Sequence, residues 1–302
     1  MREIGRILIP MVTPFKTNGD VDLDKTSAYA KWLVRTRRGD SLIVTGTTGE
    51  FHSLTFDERV RMFETVWDAV GKKTPVIAAT GCVSTRETVN LTREAERIGV
   101  DMVMVVSPYY CRPHRDGLYE HYRTVARATS LPILLYNIPL FSGANIDPET
   151  AKRLARISNI VAIKEESALN PLQTTRYLMS MPAKFRVYVG DDTMIFPVLA
   201  QGGAGAVTGG AQVCGRDIGK LIEAILRGDI ATARKLHRKT FPFFEALCQN
   251  GRVNPIPILK EAIKLAGFDV GGPRRPLHPA TPPEIRVLRK VMRERGYLAK
   301  GR

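Results

Sequence analysis

Short apolar runs alternate along the chain with longer segments in which apolar residues recur every three to four positions. The short runs are rich in valine and isoleucine and predict eight strands. These strands span residues 7–11, 41–45, 75–80, 102–106, 133–136, 160–164, 186–189 and 206–208. The longer segments predict helices at residues 24–37, 56–70, 85–98, 116–128, 148–157, 171–179, 193–201 and 216–226.

Eight strands that alternate with eight helices predict a closed (β/α)8 barrel, the TIM-barrel architecture of the α/β class. Two helix starts support this assignment. Thr55 and Glu58 have the spacing of a capping box, and Asp147 precedes Pro148 as an N-cap precedes a proline at the first helical position. The alternative is an open, doubly wound sheet, but no GxGxxG turn follows the first predicted strand. We therefore expect a barrel over residues 1–227.

The alternation of strands and helices stops after about residue 228. Residues 229–248, 257–266 and 283–295 predict three further helices with no strand between them. A turn-rich stretch at residues 267–283 connects the last two helices. We therefore expect residues 228–302 to form a helical region appended to the barrel.

Lys164 lies in the sixth predicted strand, within a run that is typical of a buried position. Desolvation disfavours the charged ammonium, so a lysine that stays in such a strand is expected to present a neutral amine. A neutral amine at the mouth of a pocket is the nucleophile that forms a Schiff base with a ketone. The alternative is a lysine that ends its strand and extends its ammonium into solvent.

Polar residues follow several other predicted strands, at the end of a barrel where functional groups lie. The sequence GTTGE at residues 46–50 follows the second strand, and its glycines allow consecutive N–H groups to converge on a carboxylate. Tyr109 and Tyr110 follow the fourth strand, and Tyr136 ends the fifth. A tyrosine beside a Schiff-base lysine can relay protons; the alternative for each is a structural role.

The chain is strongly basic, with 45 lysines and arginines against 30 aspartates and glutamates among 302 residues, a net charge of +15. The basic residues are spread over several helices and are not interleaved with aromatic residues, which argues against a nucleic-acid surface. Attraction of anionic carboxylate substrates explains the charge more simply.

The cysteine, histidine and hydropathy patterns argue against several kinds of site and of protein. The four cysteines form no CxxC pair and the histidines no HExxH, so neither a zinc site nor a disulfide framework is expected. No apolar stretch is long enough to span a membrane, and no signal peptide is recognisable. We expect a cytoplasmic protein that binds no membrane.

GTTGE at residues 46–50, Tyr-Asn-x-Pro at residues 136–139 and Lys164 resemble the dihydrodipicolinate synthase and N-acetylneuraminate lyase family. The resemblance covers nearly the whole chain and extends to residues 13–15, 108–110, 190–192 and 254–257. It implies a class I aldolase that forms a Schiff base with pyruvate or a longer 2-oxo acid, without a metal or an organic cofactor. It also implies a homotetramer, built as a dimer of dimers.

The resemblance further implies roles for individual residues. Lys164 would carry the Schiff base, and Thr48, Tyr136 and Tyr110 would relay protons. In the synthase branch, the residue that matches Tyr110 reaches into the site of the neighbouring subunit.

Three more residues complete the binding site that the resemblance implies. The carboxylate of the 2-oxo acid would rest on the amides and hydroxyls of Thr47 and Thr48. Gly190 and Val207 would line the ketone end of the pocket.

Two residues depart from the family pattern. Phe141 stands where synthases usually carry an arginine that binds aspartate semialdehyde, and an apolar ring cannot replace its charge-assisted bonds. Glu166 stands two places after the lysine, where the lyase branch typically has threonine. It is either a structural carboxylate or an acid–base group and hydroxyl acceptor for a sugar acid.

Three hypotheses for the function remain, and the two departures motivate the first of them. The first is a lyase of 2-keto-3-deoxy sugar acids or sialic-acid-like substrates, with dehydratase activity as a variant, in which Phe141 and Glu166 bind the substrate. The second is 4-hydroxy-tetrahydrodipicolinate synthase, which condenses pyruvate with aspartate semialdehyde. The third, of another class, is a non-catalytic barrel that regulates or binds nucleic acid.

Overall fold

The computed structural model describes residues 2–167 and 171–299. Eight parallel strands form a closed barrel in chain order, because β1 pairs with β8 as well as with β2. The strands are β1 Ile7–Pro10, β2 Ser41–Val44, β3 Val76–Ala79, β4 Met102–Val106, β5 Ile133–Asn137, β6 Ile160–Glu165, β7 Arg186–Val189 and β8 Gly205–Val207. The predicted TIM barrel is confirmed, with each strand within one residue or two of its expected bounds.

Helices surround the barrel and continue after it. They are α1 Leu23–Arg35, α2 Phe56–Val70, α3 Thr85–Ile98, α4 Arg115–Arg127, α5 Pro139–Ser142, α6 Pro148–Leu154, α7 Pro171–Ser180, α8 Ile195–Ala200, α9 Ala211–Leu226, α10 Ile230–Leu247, α11 Ile256–Leu265 and α12 Pro282–Arg295. The two proposed helix starts are confirmed: Thr55 and Glu58 form a capping box, and the Asp147 side chain accepts from two N–H groups of α6.

Three helices differ from the sequence prediction by three residues or more, and one of them is α6, which ends at Leu154 and not at residue 157. The short helix α5 was not expected, because four residues are too few to show a helical period. Helix α9 begins at Ala211, five residues before the predicted start. Cys214 has non-helical dihedral angles inside it, so the first turn is set off from the amphipathic part.

Apolar side chains form two layers, one inside the barrel and one between the strands and the helices. Because side chains alternate along a strand, each strand contributes to both layers. The inner layer contains Leu8, Ile43, Leu134 and Val207, and Tyr136 belongs to it as well. A side chain that points inward near the end of a strand therefore contacts the buried apolar side chains of the barrel interior.

The C-terminal helices pack on the barrel and on one another, with α10 against α9 and α12 and α11 against α12. Within the described residues, no helix is long and apolar enough to cross a membrane. The division of the chain near residue 227 corresponds to the end of α9 and stays a prediction.

Candidate active site

Lys164 lies near the carboxyl end of β6, where its side chain is 5% exposed. In the barrel it pairs with Tyr136 of the neighbouring strand, so the two side chains point to the same interior. The ammonium nitrogen stands 3.9 Å from the centre of the Tyr136 ring. The structure thus holds the lysine inside the barrel rather than in solvent.

Gly190, just after β7, borders the lysine. A Cβ at this position would lie 2.6 Å from Lys164 Cε and 2.8 Å from Glu166 Cβ. Contacts that short do not occur, so glycine leaves the space that the lysine side chain fills. Val207, the last residue of β8, lies deeper in the same interior cluster as Tyr136. The expected positions of Gly190 and Val207 near the ketone end are compatible with this arrangement.

Glu166 contacts both Lys164 and Tyr136. Its Oε2 lies 2.8 Å from Lys164 Nζ and accepts a hydrogen bond of 2.8 Å from the Tyr136 hydroxyl. Lys164 and Glu166 are two residues apart at the end of a strand, so they face the same side. The two-residue period of a strand predicts that Lys164 and Glu166 share a face, but it does not predict that one Glu166 oxygen contacts both Lys164 and Tyr136.

The Tyr136 phenol is buried beside a carboxylate. Burial and the Glu166 carboxylate hold the pKa of the Tyr136 phenol well above its usual range. The neutral amine expected at Lys164 stays a prediction, and it was based on burial without the Glu166 carboxylate that lies 2.8 Å from the nitrogen.

The GTTGE loop forms the second side of the site. Thr45 and Glu50 enclose it with left-handed φ angles of 53° and 58°, which non-glycine residues adopt rarely. Within the described residues, neither the Thr47 nor the Thr48 N–H donates to a protein acceptor. Two adjacent free donors of this kind can bind an anion. The expected binding of a 2-oxo acid carboxylate by Thr47 and Thr48 stays a prediction.

The hydroxyl of Thr47, not that of Thr48, approaches the phenol. Thr47 Oγ1 lies 3.4 Å from the Tyr136 hydroxyl, a long hydrogen bond. In the described part of the chain, Thr48 makes no hydrogen bond to Tyr136 or Lys164. The expected proton relay through Thr48 stays a prediction, because no hydrogen bond between Thr48 and Tyr136 supports it within the described chain.

Tyr110 lies outside the site within one chain. Its side chain is 93% exposed, and its φ of 70° is left-handed. Its N–H donates to the Ser142 carbonyl, which ties this segment to α5. The expected catalytic role of Tyr110 therefore requires a second copy of the chain.

A buried ion pair holds Glu50, the last residue of the GTTGE loop. Lys260 Nζ of α11 lies 2.6 Å from Glu50 Oε1, and the two side chains are 1% and 0% exposed. Lys260 also donates to the carbonyls of Thr13 and Gly272. The Arg274 N–H donates to the other Glu50 oxygen at 2.8 Å. The C-terminal helices thus fix the end of the loop that carries Thr47 and Thr48.

A cavity of about 230 Å³ opens beside Thr47. It is lined by Thr47, Phe51, His52, Val106, Tyr109, Ile138, Phe141, Ser142 and Asn254. Neither lysine nor arginine occurs among these described residues, and burial lowers the pKa of His52, which favours its neutral ring. The cavity is therefore mainly apolar and contains no fixed cation.

Asp192 follows β7; the residue is partly exposed, but its Oδ1 atom is buried. Its Oδ2 accepts from the Gly210 N–H at 2.7 Å, whereas its Oδ1 has no partner among the described residues. Burial raises the pKa of this carboxyl from 3.8 to about 7. The folded chain therefore holds a proton here at a pH where the unfolded chain has released it.

This difference predicts a pH dependence of stability. Between pH values of about 4 and 7 the folded state binds the extra proton, so the contribution of Asp192 to stability falls as pH rises. Asp192→Asn keeps a neutral group of the same shape. Its melting temperature is expected to fall less than that of the wild type between about pH 5 and about pH 8, by several degrees. Parallel curves for the two proteins would contradict this account.

The comparisons with known proteins agree with this geometry. The profile of the Dihydrodipicolinate synthetase family matches residues 3–294. The 4-hydroxy-tetrahydrodipicolinate synthase of Moorella thermoacetica is 45% identical over 97% of this chain and 99% of its own length.

Solved structures show the same similarity. The dihydrodipicolinate synthase of Cyanidioschyzon merolae, with lysine bound, is 37% identical with a TM-score of 0.93, over 98% of this chain and 99% of that chain. The chloride-inhibited synthase of Acinetobacter baumannii, complexed with pyruvate, is 29% identical with a TM-score of 0.91, over 98% and 100% of the two chains.

The family resemblance inferred from the motifs is thereby confirmed. The relatives are lyase-type enzymes that match this chain along almost its entire length. This chain belongs to the dihydrodipicolinate synthetase family.

Proposed function

We propose that this enzyme forms an imine between Lys164 and pyruvate and condenses it with an aldehyde, with 4-hydroxy-tetrahydrodipicolinate as the product. The observation that supports the imine is the enclosed Lys164 amine, which contacts a phenol and a carboxylate. The product is supported by the 45% identical relative that bears the name of this synthase.

The site supplies what the first steps require. The pyruvate carboxylate binds the free N–H groups of Thr47 and Thr48, which places the ketone carbon toward Lys164. The amine attacks that carbon, and the ketone oxygen leaves as water to give the imine. The Tyr136 hydroxyl shares the Glu166 Oε2 acceptor with Lys164 Nζ and is the group that can pass a proton to that oxygen.

A pyruvate-type substrate has two further supports. The solved synthase from Acinetobacter baumannii, which this chain resembles over nearly its whole length, is complexed with pyruvate. The net charge of +15 attracts small anions toward the protein. A non-catalytic regulatory or nucleic-acid-binding barrel has no support in the comparisons.

The 2-keto-3-deoxy sugar-acid lyase or dehydratase, our first hypothesis, becomes the second candidate. Two observations favour it: the cavity around Phe141 contains no cation for the carboxylate of aspartate semialdehyde, and Glu166 stands beside the amine. The comparisons favour the synthase over this candidate.

We also infer that a neighbouring copy completes the site. Tyr110 is 93% exposed, and Leu140 and Phe141 of α5 are 59% and 40% exposed. Phe141 also lines the cavity. A second copy on this face would cover the apolar side chains and bring Tyr110 toward the partner's site. The homotetramer and the cytoplasmic location remain predictions of this proposal.

The two candidates differ in the second substrate, so they are tested by a matched panel. Purified enzyme is supplied with pyruvate plus aspartate semialdehyde and, separately, with 2-keto-3-deoxy sugar acids. Faster formation of 4-hydroxy-tetrahydrodipicolinate supports the synthase, whereas faster release of pyruvate or water from sugar acids supports the second candidate.

Phe141→Arg sharpens the same experiment. An arginine in this cavity can bind the semialdehyde carboxylate through charge-assisted hydrogen bonds, so kcat/KM for aspartate semialdehyde is expected to rise about 10-fold or more. Phe141→Leu is the control that removes only the ring. If both variants change kcat/KM equally, residue 141 does not face the carboxylate of the second substrate.

A further inference from the structure

One carboxylate oxygen links the two groups on which the chemistry depends. Lys164 Nζ and the Tyr136 hydroxyl both contact Glu166 Oε2, each at 2.8 Å. A single acceptor therefore lies within proton-transfer distance of both the nucleophile and the phenol. The Glu166 side chain is 25% exposed, against 5% for Lys164, so the carboxylate is the more accessible of the two groups.

The preceding residue shows what a purely structural carboxylate looks like at this strand end. Glu165 is buried and accepts from Asn137, Gln173 and the N–H of Ser167, none of which is reactive. Glu166 has no such partners: its side-chain contacts in the described chain are with Lys164 and Tyr136. Its position serves the site and not the packing of the barrel.

The phenol alone is poorly suited to start the reaction. Burial and the charge of Glu166 hold the pKa of Tyr136 far above neutrality, so the phenol keeps its proton and cannot act as a base. Within the described residues of one chain, Thr48 makes no hydrogen bond to it. The acceptor that lies closest at hand for a proton of the amine is Glu166 Oε2, 2.8 Å from Lys164 Nζ.

We propose that Glu166 is a catalytic acid–base residue that takes up and returns the protons of imine formation. This inference rests on the proposed imine at Lys164. It adds the carboxylate to the relay of Thr48, Tyr136 and Tyr110 that the family resemblance implies.

The steps balance in protons and bonds. Glu166 accepts a proton from the Lys164 ammonium, and the free amine adds to the ketone carbon while the C=O π bond breaks. The proton passes through the Tyr136 hydroxyl to the oxygen. The carboxylate then removes a proton from the carbinolamine nitrogen and delivers it to the hydroxyl. Water leaves as the C=N bond forms, which yields a protonated imine and regenerates the carboxylate.

The test measures imine formation directly, by trapping with pyruvate and cyanoborohydride followed by mass spectrometry. Glu166→Ala is expected to lower the trapping rate by about 100-fold or more at neutral pH. Added formate or fluoroacetate should restore part of the rate, in an order that follows the basicity of the added carboxylate. Nitrate, an anion of similar shape to formate that accepts no proton, should not.

Two controls separate this role from simpler ones. Glu165→Gln removes the neighbouring carboxylate and is expected to lower thermal stability without any response to formate. A wild-type rate in Glu166→Ala, or equal rescue by nitrate and formate, overturns the proposal, because charge alone would then suffice. If the wild-type enzyme itself gains no adduct at Lys164, the failure lies in the proposed function instead.

Discussion

Lys164→Ala is expected to abolish the adduct that pyruvate and cyanoborohydride form with this enzyme. No other amine of the site stands in an enclosed position against Tyr136 and Glu166 among the described residues. Loss of a covalent nucleophile typically removes nearly all of kcat, so a fall of at least about 10⁴-fold is expected. Mass spectrometry of the trapped protein, with peptide mapping, checks both the amount and the position of the adduct.

Two controls belong to this experiment. Lys184→Ala removes an exposed lysine ahead of β7 and should leave the adduct intact. Lys164→Arg retains a charge opposite Glu166, so it reports whether any loss of activity follows from an unpaired carboxylate. An adduct of wild-type yield in Lys164→Ala would place the imine elsewhere and remove the basis of the proposed function.

Lys260→Met is expected to destabilise the protein by about 3–5 kcal/mol, because it leaves the Glu50 carboxylate buried without its cation. Glu50 ends the loop that carries the Thr47 and Thr48 N–H groups, so weaker binding of pyruvate should accompany the loss. Urea unfolding measures the first effect, and the pyruvate dependence of trapping measures the second.

The pair can be tested further by a double-mutant cycle. Glu50→Gln and Lys260→Met together remove both charges, so the double variant should be less destabilised than the two single changes summed. Strict additivity would show that the ion pair contributes no coupling energy. A loss of less than about 1 kcal/mol in Lys260→Met would show that the site tolerates an unpaired carboxylate.

The fold was predictable from the sequence because barrel strands are short, buried and β-branched, whereas the helices between them have a clear period. The failures are local. Helix α5 is only four residues long, and the start of α9 is obscured by the non-helical Cys214. Neither changes the number of strands or their order.

The site was predictable only where it depends on strand ends. Lys164 and Tyr136 lie at the carboxyl ends of adjacent strands, so the topology alone brings them together. The shared Glu166 oxygen depends on side-chain torsions, which no sequence period specifies. The Lys260–Glu50 pair joins residues on α11 and after β2, and only the closed fold reveals that they meet.

The Lys260–Glu50 ion pair joins the two regions on either side of the predicted boundary near residue 227. A chain that ended with α9 would keep all eight strands together with Lys164 and Tyr136. It would, however, lose the Lys260 cation that pairs with Glu50 at the end of the loop that carries Thr47 and Thr48. A chain shortened from its C terminus is therefore expected to retain Lys164 in its strand and to bind substrate more weakly.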